Sequence, residues 1–217
     1  MNSFANRDGA VVVREFIRTI QEHKAYLCEI DGAIGDGDHG VNMDKGFSLC
    51  LSRVNWETAD FASAVRDLGR ILLLEIGGSM GPIYGTFFGE MAKAAKGKEE
   101  LGAPDISAML HGAVEKIQAL GGAKPGDKTL LDTLVPAMNA FDASWAETKD
   151  FSRALVALQE AAKAGWESTK DMVAMVGRAS RLGERSRGVC DAGATSCYFL
   201  LDAMAGSILK ILRGLPA

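Results

Sequence analysis

The segment from Glu15 to Phe47, EFIRTIQEHKAYLCEIDGAIGDGDHGVNMDKGF, carries Gly35, Gly37 and Gly40 in the spacing G-x-G-x-x-G. After a parallel strand, that spacing opens a βαβ unit and seats a pyrophosphate on a helix N-terminus. What precedes it here has a different period. Val12, Val13, Phe16, Ile17 and Ile20 recur at i, i+3, i+4 and lead toward Tyr26 and Leu27, the signature of an amphipathic helix. The dinucleotide-binding reading therefore fails on context, and the fold it would have dictated fails with it.

Working outward, helical period dominates. Leu68, Ile71, Leu72 and Ile76 close a segment that begins near Thr58. Pro104 and Asp105 start another helix, with Asp105 as its expected N-cap and Gly121-Gly122 as its end. Asp150 caps a helix expected from Phe151 to about Val176, and the last runs from Ala194 to Arg213. Shorter helices fit Val41–Arg53, Pro82–Lys96 and Lys128–Phe141, with Pro136 expected to kink or tighten that last one. No segment alternates with period two, so the chain is expected to be all-α, with about eight helices. The stretch AKAAKGKEELGAPD reads as a solvated connection.

Composition agrees with a globular chain: 217 residues, 47% hydrophobic, 24% charged, net charge −4. An acidic balance gives no nucleic-acid footprint. Cys28, Cys50, Cys190 and Cys197 form no C-x-x-C pair, and reduced thiols are the expected reading. There is no signal-peptide core, and no apolar run approaches the roughly 20 residues that span a bilayer. A cytoplasmic protein with no membrane partner is expected.

Four junctions are richer than connectors need to be: DGAIGDGDHGVN, GGSMGPIYG, GGAKPGDKT and GRASRLGERSRGVCDAGATS. In an up-and-down array, alternate junctions share an end, so glycine amides and helix N-termini would gather where an anion can bind. Glycines also simply terminate helices. In the first junction, an EF-hand reading from Asp36 puts Gly40 at position 5 and Phe47 at position 12, where oxygen ligands are required. GAKPGDKT is no Walker A loop, since Asp127 separates Gly126 from Lys128.

The carboxylates Asp31, Asp36 and Asp38 survive these eliminations. Two like charges about 4 Å apart repel by about 4 kcal/mol at an effective dielectric near 20. A loop that converges three of them calls for a cation, and an all-oxygen set favours Mg2+, which takes phosphate oxygens as further ligands. The alternative is that aspartates and glycines are what turns are made of. Arg178, Arg181, Arg185 and Arg187 divide in the same way, between a solvated basic loop and guanidinium–phosphate pairing. His23 and His111 lie mid-helix without an evident partner and read as structural.

At these residues the sequence resembles the nucleotide-binding L subunits of dihydroxyacetone kinases. The family's IGDxDHGxNM is present as Ile34–Met43, its GG-x-x-GPLYGT as Gly77–Thr86 and its PGDKT as Pro125–Thr129. Its GRASYLGERS…DPGATS corresponds to Gly177–Ser196. The resemblance spans almost the whole chain, 1–217, as a single nucleotide-binding domain. It implies eight antiparallel helices closed into an α-barrel, with ADP or ATP held at one end through two Mg2+ ions. The family's metal ligands fall on Asp31, Asp36 and Asp38. Its nucleotide contacts fall on His39, Gly40, Val41, Asn42, Gly121, Leu130, Arg178, Asp191 and Gly193, with Ser79, Met80 and Ala192 completing the expected set.

The implied activity is phosphoryl transfer to dihydroxyacetone or a related short ketose held covalently on a histidine of a separate K-type subunit. The donor is either free ATP or a phosphotransferase-system protein acting on bound ADP. Departures stand at Ser79-Met80-Gly81, where the family often has Ser before Gly-Pro, at Ala192 for Pro, and at Arg181 for Tyr. Two other readings share the nucleotide site: a regulatory module that signals phosphorylation state to a transcription factor, and a kinase for another acceptor such as a fatty acid.

Overall fold

In the computed structural model, which describes residues 2–215, the first apolar stripe does not stop at Leu27. Ile30 and Ile34 continue it into the core, and helix α1 runs Ala10–Ile34. The chain then forms α2 (His39–Arg53), α3 (Phe61–Glu75), α4 (Met80–Ala95), α5 (Ala103–Gly121), α6 (Leu131–Thr148), α7 (Phe151–Ser168) and α8 (Ala192–Leu212). Eight α-helices among the described residues match the expected number. Each packs against its successor, and α8 returns against α1. One apolar cluster runs through all of them, with Phe16, Phe47 and Tyr84 around Phe88 at ring separations of 5.7 to 6.3 Å.

Several boundaries differ from expectation for identifiable reasons. Asp105 is not the N-cap of α5: Gly102 holds that place, and the Asp105 carboxylate accepts the Gly102 N–H at 2.8 Å from inside the first turn. Helix α6 begins at Leu131 and passes through Pro136 to Thr148. Proline removes the N–H that would have met the Asp132 carbonyl one turn back. Gly165 of α7 lies directly against that carbonyl, where any Cβ would collide with it. Helix α7 ends at Ser168 rather than near Val176, and a 3-10 turn follows at Thr169–Asp171. Met175 and Val176 are 63% and 36% exposed, so they extend no buried stripe.

A short two-stranded ladder was not expected. Strand β1 (Ser3–Ala5) pairs antiparallel with β2 (Glu100–Gly102), inside the stretch that read as solvated linker. Three-residue strands are too short to show a period, and what holds this one is burial of Phe4 and Leu101. Beside it the Asn6 side chain donates to Asp60 Oδ2 and the Lys98 carbonyl, and accepts from Ala62 N–H at 3.0 Å. The N-terminus thus ties the α2–α3 connection to the α4–α5 connection. Asp60 also caps α3 through a reciprocal box with Ser63.

Helix α8 is long and apolar enough to cross a membrane by length and composition alone, contrary to the reading of the sequence. Two-thirds of its apolar window (67%) is buried among the other helices, which marks a core helix. The alternation of short connections leaves the four glycine-rich junctions, between α1 and α2, α3 and α4, α5 and α6, and α7 and α8, at the end opposite the β1–β2 ladder.

Candidate functional site

At that end, α1, its connection and α2 contribute one carboxylate each. Asp31 sits in the last turn of α1, Asp36 in the connection, and Asp38 is the residue preceding α2. One ligand oxygen from each lies within 4.8 Å of the others. Glycine makes this convergence possible. A Cβ on Gly35 would collide with the Asp31 carboxylate, and Gly37 turns at φ +76°. A Cβ on Gly40 would strike the Lys24 carbonyl, so α2 starts tight against α1. The His39 N–H donates to Asp31 Oδ2 at 3.2 Å. Charges this close repel by about 3 kcal/mol per pair at an effective dielectric near 20. Three hard oxygens at this spacing fit a small divalent cation, and a guanidinium already answers one of them: Arg178, from the α7–α8 connection, donates to Asp36 Oδ2.

The His39 ring points away from these carboxylates. Its Nε2 meets Ser196 Oγ at 2.9 Å, and that hydroxyl meets the Tyr84 hydroxyl at 2.6 Å. Tyr84 in turn donates to the Gly193 carbonyl at 3.3 Å. This chain joins three of the four glycine-rich motifs through their buried sides. Burial lowers the His39 pKa against the pull of Asp31 and Asp38 and so favours the uncharged ring. Burial likewise raises Tyr84 well above the ordinary phenol range.

The start of α8 is built around Asp191. Its carboxylate accepts the Ala194 N–H at 2.7 Å as an N-cap, its own N–H donates to Thr169 Oγ1, and burial pushes its pKa up to about 6. Ala192 is buried, and Gly193 lies against Leu130: a Cβ there would stand 3.0 Å from Asp191 Oδ2 and 3.6 Å from Leu130 N. The connection bearing Leu130 is organised by two carboxylates of its own. Asp132 accepts the Gly126 and Thr129 N–H groups, and Asp127 accepts that of Lys124.

The remaining expected residues are placed as follows. Val41 is exposed at the mouth, and Asn42 N–H donates to the Asp38 carbonyl in the first turn of α2. Ser79 precedes α4, while the Met80 side chain is buried in the core. Gly121 closes α5 with open space beside it. Among the described residues, no hydrogen bond joins Ser79, Met80 or Gly121 to the carboxylates. The four arginines divide. Arg178 pairs with Asp36, and Arg187 donates to the Asp171 carbonyl and to Glu184. Arg181 and Arg185 are exposed.

His111, which read as having no partner, meets Asp142 at 2.7 Å, while His23 bonds the Thr19 carbonyl and packs tilted against the Phe199 ring. Lys128, Asp132, Tyr84 and Ser196 were not singled out by the sequence. All four lie in or beside the glycine-rich motifs, but their roles depend on partners up to 157 positions away.

Comparison with known proteins gives a consistent family. The DAK2 domain matches residues 33–206. The chain is 36% identical over 181 residues to the ADP-binding subunit DhaL of the PEP-dependent dihydroxyacetone kinase of Escherichia coli K12, covering 83% of this chain and 86% of that one. It is 37% identical over 193 residues to the corresponding subunit of kinase 1 of Listeria innocua, covering 88% and 91%. The native crystal structure of the dihydroxyacetone kinase of C. freundii superposes with a TM-score of 0.70 at 25% identity, covering 94% of this chain and 35% of that one. The structure of that kinase in complex with AMP-PNP and Mg2+ superposes with a TM-score of 0.67 at 24% identity, covering 94% and 34%.

Proposed function

The chain belongs to the DAK2-domain family of dihydroxyacetone kinase ADP-binding subunits, and from that premise we propose that it holds ADP or ATP with two Mg2+ ions for a ketose kinase. The observation that carries this reading is the convergence of Asp31, Asp36 and Asp38 within 4.8 Å beside the start of α2. Asp31, Asp36 and Asp38 would hold the metal, whose chemistry is to neutralise phosphate charge as the phosphoryl group leaves. The amides of Gly40 and Val41 in the first turn of α2, with Asn42 beside them, and the N-terminus of α8 lie at the same end to receive phosphate oxygens. Arg178 exchanges Asp36 for phosphate, pairing two oxygens at once. Ser79, Met80, Gly121, Leu130, Asp191, Ala192 and Gly193 supply the remaining walls from the other connections.

Phosphoryl transfer is mostly positioning and electrostatic stabilisation, and both sides must be positioned. The groups above serve the donor side. His39 is no acceptor-side base, because its ring faces inward and its Nε2 is engaged by Ser196 Oγ. The acceptor, dihydroxyacetone or a related short ketose, is therefore held on a separate K-type subunit, and this chain turns over only with that partner. The names of the Escherichia coli and Listeria relatives, PEP-dependent and ADP-binding, favour ADP kept as a bound cofactor, and in this reading a phosphotransferase-system protein recharges it. The same reading takes residues 1–217 as one cytoplasmic domain. It closes the eight helices into a barrel, as the return of α8 to α1 supports.

Purification followed by nucleotide analysis tests it. ADP should accompany the protein and resist exchange with free ATP, and Mg2+ should be required for retention. Rapid exchange with ATP would transfer the donor role to free nucleotide, and equal retention in EDTA would remove the metal from the site.

A further inference from the structure

Lys128 stands in the GGAKPGDKT connection, which Asp127 keeps from being a Walker A loop. Its surroundings give it another task. The side chain is 2% exposed, although an ammonium is among the groups most costly to bury. Its Nζ donates to three backbone carbonyls: Met172 at 3.2 Å, Ser186 at 2.5 Å and Val189 at 2.7 Å. An ammonium has three N–H groups, so none remains for a phosphate. The backbone accepts an uncommon conformation to place it, with φ +62° at a residue that has a Cβ.

All three carbonyls belong to the α7–α8 connection, and they lie on both sides of Arg178. Met172 precedes it; Ser186 and Val189 follow it. Neighbouring bonds close the same base: Gly188 N–H to the Lys170 carbonyl at 2.8 Å, Ala174 N–H to Ser186 Oγ at 2.9 Å, and Met175 N–H to the Asp127 carbonyl at 3.1 Å. The segment between them is a 3-10 turn, Ala179–Ser186, that lies against α1 and is closed by short-range bonds from Ser180 to the Gly177 carbonyl and from Ser186 to the Gly183 carbonyl. Its turns rely on Gly177 and Gly183 at positive φ, and Met175, Arg181 and Arg185 are exposed.

We propose that Lys128 is a positioning residue: an internal cation that cinches the base of the arginine loop and so sets Arg178 beside the carboxylates, without touching nucleotide. It also couples two connections of the site, since its own loop carries Leu130. The importance of Arg178 for binding rests on the function proposed above; the cinching of the loop does not.

The loop's arginines make limited trypsin digestion a direct readout. Lys128→Met should raise the rate of cleavage after Arg181 and Arg185 at least tenfold while thermal unfolding stays cooperative. Its Mg-ADP affinity by calorimetry should fall about ten- to a hundredfold, as for Arg178→Ala. The double variant should bind no worse than Arg178→Ala alone, because both changes remove one interaction. A loss of affinity with unchanged cleavage, or losses that add in full, would overturn the proposal. Should Lys128→Met not fold, amine labelling of the wild-type chain decides. Lys128 should resist labelling with and without Mg-ADP, whereas labelling in the free protein that nucleotide blocks would make it a phosphate ligand. If the wild-type chain binds no Mg-ADP, the functional reading falls, while cleavage and labelling still judge the cinch.

Discussion

Asp36 has two claimants, the guanidinium of Arg178 and a cation shared with Asp31 and Asp38. Asp36→Asn and Asp38→Asn each remove one hard ligand, and we expect Mg2+-dependent ADP affinity to fall at least tenfold, measured by calorimetry with and without EDTA. Arg178→Ala should cost ten- to a hundredfold without lowering the melting temperature, since its side chain is solvent-facing and its contact is one charge-assisted pair. Asp191 carries a different signature. Its pKa of about 6 lies above the ordinary carboxylate value, so the folded chain holds that proton more tightly than the unfolded one. The stability this contributes is complete below about pH 4 and is lost as pH rises through 6. His39 acts in the opposite sense, its lowered pKa favouring the fold above about 6.5 and losing that contribution on acidification. Comparing Asp191→Asn with wild type isolates the first effect. In metal-free buffer the melting curves should diverge in the variant's favour between pH 4 and 7, and parallel curves would contradict the assignment.

Among the elements, the two ends of the helical array respond differently to damage. Gly165 lets α7 approach the Asp132 carbonyl that Pro136 leaves without its helical N–H. A Cβ there forces the helices apart, and overpacking of this kind costs about 1–3 kcal/mol. Because the Asp132 carboxylate also shapes the α5–α6 connection, Gly165→Ala should lower both the melting temperature and ADP affinity. Asn6→Ala breaks the tie between the α2–α3 and α4–α5 connections and leaves part-buried groups unpaired, a loss of about 1–3 kcal/mol. It lies at the far end, so nucleotide affinity should be unchanged. Calorimetry and thermal melting on both variants separate the two ends, and equal effects on binding would dissolve the distinction. The helices themselves were legible because an i, i+3, i+4 stripe is a local property of the chain. Their ends were less so. Helix α6 ran past its expected end at Phe141 to Thr148, and α7 stopped at Ser168 rather than near Val176, where the side chains turn to solvent.

For the whole molecule, the proposed donor-side groups, with the one histidine of the site turned inward to Ser196, predict half an enzyme. The purified chain should give no measurable phosphorylation of dihydroxyacetone from ATP, and a K-type subunit should restore turnover in a coupled assay. Robust turnover by the chain alone would place an acceptor site here. What the sequence determined unaided was the all-α class, from periodicity before a misleading glycine pattern, together with the carboxylate trio, from residue types whose chemistry allows few uses. Those signals lie within a few turns of chain. Only the tertiary structure decided which arginine faces a carboxylate, that His39 turns to Ser196 and Tyr84, that Lys128 serves carbonyls instead of phosphate, and that Phe4 seats a strand on Leu101. Each of these depends on which distant partner fills a side chain's hydrogen bonds or covers its apolar surface. That partner is chosen by packing across the core, where separation along the chain carries no information.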